Sequence, residues 1–351
     1  MKKIGVVGCG DISGIYLKNI TGMFSQNLAV AGVYDIVRER AEKRAAEFGA
    51  VKVYGSSEEL LSDPGVDIVL NLTRPYEHYA VSEAALNAGK HVYTEKPLGA
   101  DFSEGQKLNE LAKSKNLLIG GAPDTFLGAG IQTCKKLIEE GAIGTPVGAS
   151  AFMVCRGHES WHPDPEFYYK RGGGPMMDMG PYYITALVTL LGGVKSVTGA
   201  AVASFPERTV TSAAKRGTVV KVETPTHIAG VLEFVSGAVG TVLTTFDVHA
   251  AQVPRMEVYG SAGTLSVPDP NTFGGPVLLY TPETKEFREM PLAFGYAENS
   301  RGIGIADMAS HIETGSPFRA SGAQILHVLE VMTGFSRAYE RRGFAEMVTA
   351  L

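Results

Sequence analysis

Cysteine is scarce in this chain, tryptophan scarcer, and neither a long apolar run nor an excess of positive charge is present. The three cysteines, Cys9, Cys134 and Cys155, are far apart and odd in number. They offer no disulfide framework and no metal-ligand spacing, and they suit a reducing cytoplasm. With 32 lysines and arginines against 37 aspartates and glutamates the net charge is -5. The basic residues are scattered, so the electrostatic footprint of a nucleic-acid binder is missing. No apolar stretch reaches the length that crosses a bilayer, and the first ten residues lead into a strand instead of a secretory leader. The expected setting is cytoplasmic, with neither membrane nor nucleic acid as partner. The sequence also lacks internal repeats and low-complexity tracts.

What remains is a chain of 351 residues, 44% of them hydrophobic, enough for two domains each with its own core. Near the start, the apolar run of Ile4, Val6 and Val7 leads into Gly8-Cys9-Gly10-Asp11-Ile12-Ser13 and then helix-compatible Gly14-Ile15-Tyr16-Leu17. Strand, glycine turn and helix is the arrangement that seats a dinucleotide pyrophosphate on helix N-terminal amides. Gly8 takes the tight turn, Gly10 lets the backbone approach phosphate, and Asp11 and Ile12 lead into the helix. Ser13 stands where a third glycine often falls, so the fingerprint is degenerate. The next apolar run, Leu28 to Tyr34, ends in Asp35, at the spacing of a carboxylate that accepts from the adenosine ribose hydroxyls. A carboxylate there repels a 2′-phosphate, which favours NAD over NADP, although Arg38 and Arg40 nearby work against that preference.

Up to about residue 120, short apolar runs at 4–7, 28–34, 51–54, 67–72, 90–94 and 117–121 alternate with helix-periodic stretches such as 38–48, 77–88 and 103–115. This predicts an α/β fold: a Rossmann doubly wound parallel sheet over residues 1–122, with ligands beyond the carboxyl ends of its strands. Thr73-Arg74-Pro75 follows one strand and Glu95-Lys96-Pro97 the next, so both face the crevice of the glycine turn. Residues 123–351 read as an α+β domain with a large open, mainly antiparallel sheet. Its strands are expected at 147–155, 194–205, 226–235, 238–246, 255–260, 276–280 and 286–290, and its helices at 130–140, 180–191, 304–314 and 322–342, the last packing back on other helices.

The glycine turn, Asp35, Thr73 and Pro75 with His78 following, Glu95-Lys96-Pro97, and the glycine run before Asp178 together resemble the Gfo/Idh/MocA oxidoreductase family, the glucose-fructose oxidoreductase and inositol dehydrogenase group. The resemblance covers essentially the whole length. It implies an N-terminal Rossmann domain, an open antiparallel sheet behind it, bound NAD or NADP, and hydride transfer at a secondary alcohol of a sugar or polyol. It also implies that Lys96 contacts both nicotinamide ribose and substrate, and that Thr73, Arg74, Pro75, His78 and Glu95 belong to the cofactor side. The family's second motif has an aspartate, a histidine four residues on and a further acid three residues later. Here Asp178 is kept, while Tyr182 and Thr185 occupy the other two places.

Oxidising an alcohol needs a group that takes the hydroxyl proton, and a lysine serves if burial and the neighbouring nicotinamide cation bring its pKa toward neutrality. Lys96 fills that role, with Glu95 either anchoring its loop or orienting it. Asp178 either accepts a substrate hydroxyl or caps a helix. Tyr182 is either a proton-handling partner of the lysine or an aromatic packed at a domain seam. Residues 158–162, His-Glu-Ser-Trp-His, match the zinc protease pattern literally. That motif needs a helix, and Gly157, Pro163 and Pro165 deny it one, so no metal is expected. The stretch 156–171 reads instead as a loop over the pocket, with Trp161 stacking on a sugar face and His162 as a hydrogen-bonding partner, or simply as a packed surface loop. Asp124 and Thr125, at the crossing between domains, are pocket candidates, and Arg301 is either a substrate contact or a structural residue.

Three functions compete. The leading one is an NAD-dependent dehydrogenase of a sugar, polyol or sugar derivative, working as a homo-oligomer, a dimer or tetramer, whose open sheets pack together. The second is redox-assisted glycoside cleavage through a transient keto-sugar, with no net NADH. The third is a non-catalytic sensor of a dinucleotide or sugar, against which Lys96 and Asp178 argue.

Overall fold

In a computed structural model of the chain, residues 1–49 and 51–351 are described. They fold into two units, Met1–Leu127 with Asn299–Leu326, and Gly128–Glu298 with His327–Leu351. The expected single break at 122 and 123 is therefore moved by a few residues, and the chain returns to the first unit late. A contiguous division read from the sequence has no means of showing that return.

The first unit contains β1 (Lys2–Val7), α1 (Ser13–Thr21), β2 (Leu28–Tyr34), α2 (Arg38–Glu47), β3 (Lys52–Val53), α3 (Ser57–Ser62), β4 (Ile68–Asn71), α4 (His78–Asn87), β5 (His91–Thr94), α5 (Phe102–Ser114) and β6 (Ile119–Gly121). Its six strands are parallel in the order β3-β2-β1-β4-β5-β6. The order reverses between β1 and β4, and ligands of doubly wound sheets bind outside the carboxyl ends at such a switch point. Ile4, Val6, Ile68, Val69, Leu70 and Val92 are fully buried, as befits strands covered on both faces.

The second unit contains α6 (Ala129–Glu139), β7 (Pro146–Val154), α7 (Gly174–Asp178), α8 (Gly180–Leu191), β8 (Val194–Val202), β9 (Glu207–Thr209), β10 (Val219–Lys221), β11 (His227–Phe234), β12 (Val239–Thr245), β13 (Met256–Gly260), β14 (Thr264–Ser266), β15 (Val277–Tyr280) and β16 (Phe287–Met290). The chain then runs through α9 (Ile303–Thr314) of the first unit into α10 (Gly322–Arg341) and β17 (Ala345–Glu346). Nine strands form one sheet, β16-β15-β14-β13-β7-β12-β11-β8-β17. Every neighbouring pair is antiparallel except β7 and β12. The hairpin of β9 and β10 stands apart.

Candidate active site

The glycine turn after β1 has the shape a phosphate cradle requires. Gly8 has φ +99°, and a Cβ there would lie 2.7 Å from the Leu72 carbonyl carbon and oxygen, so only glycine lets this turn pass the end of β4. At Gly10 a Cβ would meet nothing within 4 Å, which leaves room for a ligand to come close to the backbone. Asp11 and Ile12 are exposed and lead into α1. Ser13, in the third glycine's place, is fully buried and locks the turn: its hydroxyl donates to Gly10 O at 2.6 Å and accepts from Arg44 Nε at 3.0 Å. Arg44 also donates to Gly10 O at 3.2 Å. No local pattern announces Arg44, because its partners lie about thirty residues away.

Asp35 stands half-buried at the end of β2. Its Oδ2 accepts from Cys9 N at 2.7 Å and its Oδ1 from Val37 N at 2.8 Å, so the carboxylate is fixed and also braces the glycine turn. Burial first, then the Asp35 charge, push the neighbouring Cys9 thiol up to about 12, and it remains a neutral thiol. An open glycine cradle and a rigid acid after β2 fit the pyrophosphate and adenosine ribose of a dinucleotide.

Lys96 leaves the carboxyl end of β5 on a backbone held by its neighbour. The buried Glu95 accepts from Lys96 N at 3.0 Å and from the Tyr16 hydroxyl at 2.8 Å. Burial, reinforced by Glu95, raises the Tyr16 pKa far above its ordinary value, which keeps that phenol a donor. His78, a cofactor candidate, is fully buried between two loops, with Nδ1 2.7 Å from Pro97 O and Nε2 3.1 Å from Thr73 O. Burial lowers its pKa, while the two carbonyls facing its ring nitrogens oppose the shift. The buried Asn71 accepts from Thr73 N at 3.2 Å and Thr73 Oγ1 at 2.6 Å and donates to His78 O and Ser82 Oγ. The strand-end loops of Thr73 and Lys96 are thus tied through His78. Arg74 is exposed and donates to the Tyr76 hydroxyl, and Pro75 opens a short 3₁₀ turn.

Asp124 and Thr125 are 1% and 2% exposed. Asp124 Oδ2 accepts from Gly302 N at 2.8 Å and Gly304 N at 3.1 Å, at the start of α9. The sequence reading of Asp124 as a pocket residue overlooked this partner, which lies 178 residues away.

In the second unit, Gly180 and Pro181 open α8 as expected, one residue after α7 ends at Asp178 and Met179 follows. Tyr182 is 8% exposed and Tyr183 fully buried, its hydroxyl accepting from Arg255 at 3.3 Å. Residues 158–162 form turns, with His162 N bonded to His158 O at 3.0 Å. His162 Nδ1 accepts from Asp164 N at 3.0 Å, whereas His158 Nε2 lies 3.1 Å from Asp178 Oδ2. Among the described residues no cluster of three or more His, Cys, Asp or Glu is placed to hold a metal. Trp161 is 62% exposed, with His158 and His162 edge-on to it at 5.1 and 5.3 Å. The sequence brought up His158 only as one end of the literal match to the zinc protease pattern, and its pairing with Asp178 has no local signal.

A doubly wound sheet with this cradle and acid defines a dinucleotide-binding protein. Residues 2–121 match the profile described as the oxidoreductase family, NAD-binding Rossmann fold, and residues 131–266 match the GFO/IDH/MocA C-terminal domain. The chain belongs to the GFO/IDH/MocA oxidoreductase family. It is 32% identical over 202 residues to an uncharacterized oxidoreductase of Schizosaccharomyces pombe, covering 56% of this chain and 53% of that protein. The chain thus spans about half the length of the first curated relatives it matches. It is 26% identical over 264 residues to the myo-inositol 2-dehydrogenase of Thermotoga maritima, covering 75% of this chain and 74% of that one. A levoglucosan dehydrogenase in complex with NADH and levoglucosan shares the fold with a TM-score of 0.82 at 20% identity over 99% of both chains. No helix among the described residues is long and apolar enough to cross a membrane.

Proposed function

We propose that the protein is an NAD-dependent dehydrogenase acting on a secondary alcohol of a sugar, polyol or sugar derivative, with Lys96 as general acid and base. The observation that carries this is the placement of Lys96. It follows β5 on a backbone clamped by Glu95, at the same edge of the sheet as the glycine turn after β1 and Asp35 after β2. Bound NAD supplies the hydride acceptor. Gly8, Gly10, Asp11 and Ile12 line its pyrophosphate, Asp35 accepts from its ribose, and Thr73, Arg74, Pro75 and His78 shape the loop beside it. Lys96 takes the hydroxyl proton of the alcohol as it is oxidised and returns it in the reverse direction. Asp178 accepts a substrate hydroxyl, Trp161 offers a ring face and His162 a polar edge to the sugar, and Tyr182 supplies a second donor. Asp124 and Thr125 support the reading only as buried framework. The names of the similar inositol and levoglucosan dehydrogenases support the substrate class.

A panel of sugars, polyols and glycosides with NAD, followed by both absorbance and product analysis, tests the reading. Lys96→Ala and Lys96→Met are expected to keep NAD binding and lose about a hundredfold to ten-thousandfold in turnover. Tyr182→Phe should lower the rate by more than about threefold if its hydroxyl takes part. Full turnover in Lys96→Met would sink the assignment, and product without stoichiometric NADH would replace dehydrogenation by redox-assisted glycoside cleavage.

A further inference from the structure

In the second unit the imidazole of His158 meets Asp178, the acid proposed to touch substrate, and its surroundings are built to hold it there. Its Nε2 lies 3.1 Å from Asp178 Oδ2, and the two side chains are 13% and 16% exposed. A carboxylate only accepts, which places the ring proton on Nε2. The ring packs against Tyr168 at 4.0 Å, Phe246 at 4.8 Å and Trp161 at 5.1 Å between centroids.

The next residue, Glu159, is the anchor. It is 8% exposed, accepts from the Tyr169 hydroxyl at 2.5 Å, and pairs at 3.1 Å with Arg208, itself 4% exposed. Arg208 also pairs with Asp247, which directly follows Phe246, and donates to Phe246 O at 2.9 Å. The Glu159 carbonyl accepts from Thr211 N at 3.0 Å and Ser212 N at 2.8 Å. A charge buried this deeply holds its partners in one geometry, because breaking the pair strands the other charge. The arginine of β9 therefore fixes both the backbone beside His158 and the phenyl ring against which His158 packs.

We propose, resting on the assignment of Asp178 as a substrate-hydroxyl acceptor, that His158 is the residue that positions Asp178 for a sugar or polyol. Its N–H fixes the carboxylate rotamer, and a carboxylate accepting one such bond keeps the capacity to accept from a substrate hydroxyl. The buried Arg208–Glu159 pair holds His158 in register. Binding of the hydroxylated substrate then depends on the imidazole N–H more than on the ring.

Two variants separate those roles. His158→Phe keeps an aromatic ring in the cage and removes the N–H. His158→Gln gives up the ring and keeps a side-chain N–H at the reach of Nε2. With NAD saturating and the best polyol or sugar of the panel as probe, His158→Phe is expected to raise KM by about tenfold or more with a smaller change in kcat. His158→Gln should recover most of that loss, and KM for NAD should be unmoved in both. A His158→Phe variant with wild-type KM, or a His158→Gln variant as impaired as His158→Phe, overturns the inference and leaves the proposed activity standing. If the wild type turns over nothing on the panel, the activity falls instead. The inference is then decided by binding of myo-inositol and levoglucosan to the NAD-loaded protein, read by the emission of Trp161, the chain's single tryptophan. Titrations weakened in His158→Phe and kept in His158→Gln support it, and titrations equal in all three proteins, or absent in all three, overturn it.

Discussion

At the scale of single residues, the sharpest consequence concerns Asp35. Both carboxylate oxygens are held by backbone amides, at 2.7 Å from Cys9 and 2.8 Å from Val37, so the side chain has little freedom to swing away from an added phosphate. The fixed carboxylate and a phosphate placed beside it are both negative and repel. Arg38, one of the two cations that stood against this preference in the sequence, is engaged with Glu42 at 2.7 Å. We expect NAD to bind at least about tenfold more tightly than NADP, a difference of roughly 1.4 kcal/mol, measurable by calorimetry. Asp35→Ser should collapse the ratio, mainly by weakening NAD. Equal affinities in the wild type would refute this reading of Asp35. The same residue shows what a sequence can and cannot tell: its spacing from the glycine turn was legible, whereas its bond to Cys9, which couples the acid to the cradle, requires two strand ends to be seen side by side.

At the scale of elements, the N-terminus of α9 carries a prediction of its own. Burial raises Asp124 from the ordinary 3.8 to about 6; the amides of Gly304 and Gly302 oppose the rise, Glu95 adds to it and Arg301 lowers it. A raised pKa means that the folded chain holds the proton more tightly than the unfolded one. The stabilisation is therefore complete below about pH 4 and lost as the pH climbs through about 6, a change of about 3 kcal/mol. Asp124→Asn does not titrate. The stability of wild type relative to this variant should fall between pH 4 and pH 7, as read from urea melts at each pH, and a pH-independent difference would show that Asp124 titrates as an ordinary surface acid. Most elements were legible from period and punctuation: β2 falls on 28–34 and α8 on 180–191, as the apolar runs indicated. The elements missed are those whose residues answer to distant partners or are too short to show a period. β9 reads Glu-Arg-Thr, a solvated stretch by composition, yet its arginine is buried because Glu159 and Asp247 wait for it. The hydrophilic six-residue α3 is marked by its cap, Ser56 accepting from Glu59 N, and the three-residue β14 has no period at all.

At the scale of the whole molecule, the question is what the second unit's sheet does with its outer face. The inner face is covered, with Phe335 of α10 against Gly230 and Val197 against Gly334. On the other face, register aligns Phe152 of β7, Leu243 of β12, Ala229 of β11 and Ala200 of β8 in one row, with Ser150, Thr241, Val231 and Thr198 in the next. Phe152, Leu243 and Val231 are half-buried, and Ala229, Ala200 and Thr241 exposed. These rows are mostly small or apolar, with no charge among them. A contiguous sheet surface of small and apolar residues, with charge entering only at its border where Glu257 of β13 pairs with Ser150, marks an interaction site, and a sheet face can serve as both halves of a two-fold interface. We expect the protein to be a homodimer or larger in solution, with these rows buried between copies. Light scattering behind a sizing column tests this: the wild type should run at twice its chain mass of 37.3 kDa or more. Leu243→Arg with Val231→Arg should shift it to monomer, because burying two unpaired cations opposes association. NAD binding should survive the substitutions, since the glycine cradle and Asp35 lie in the other unit. A wild type that is monomeric at micromolar concentration would mean that this face meets only water.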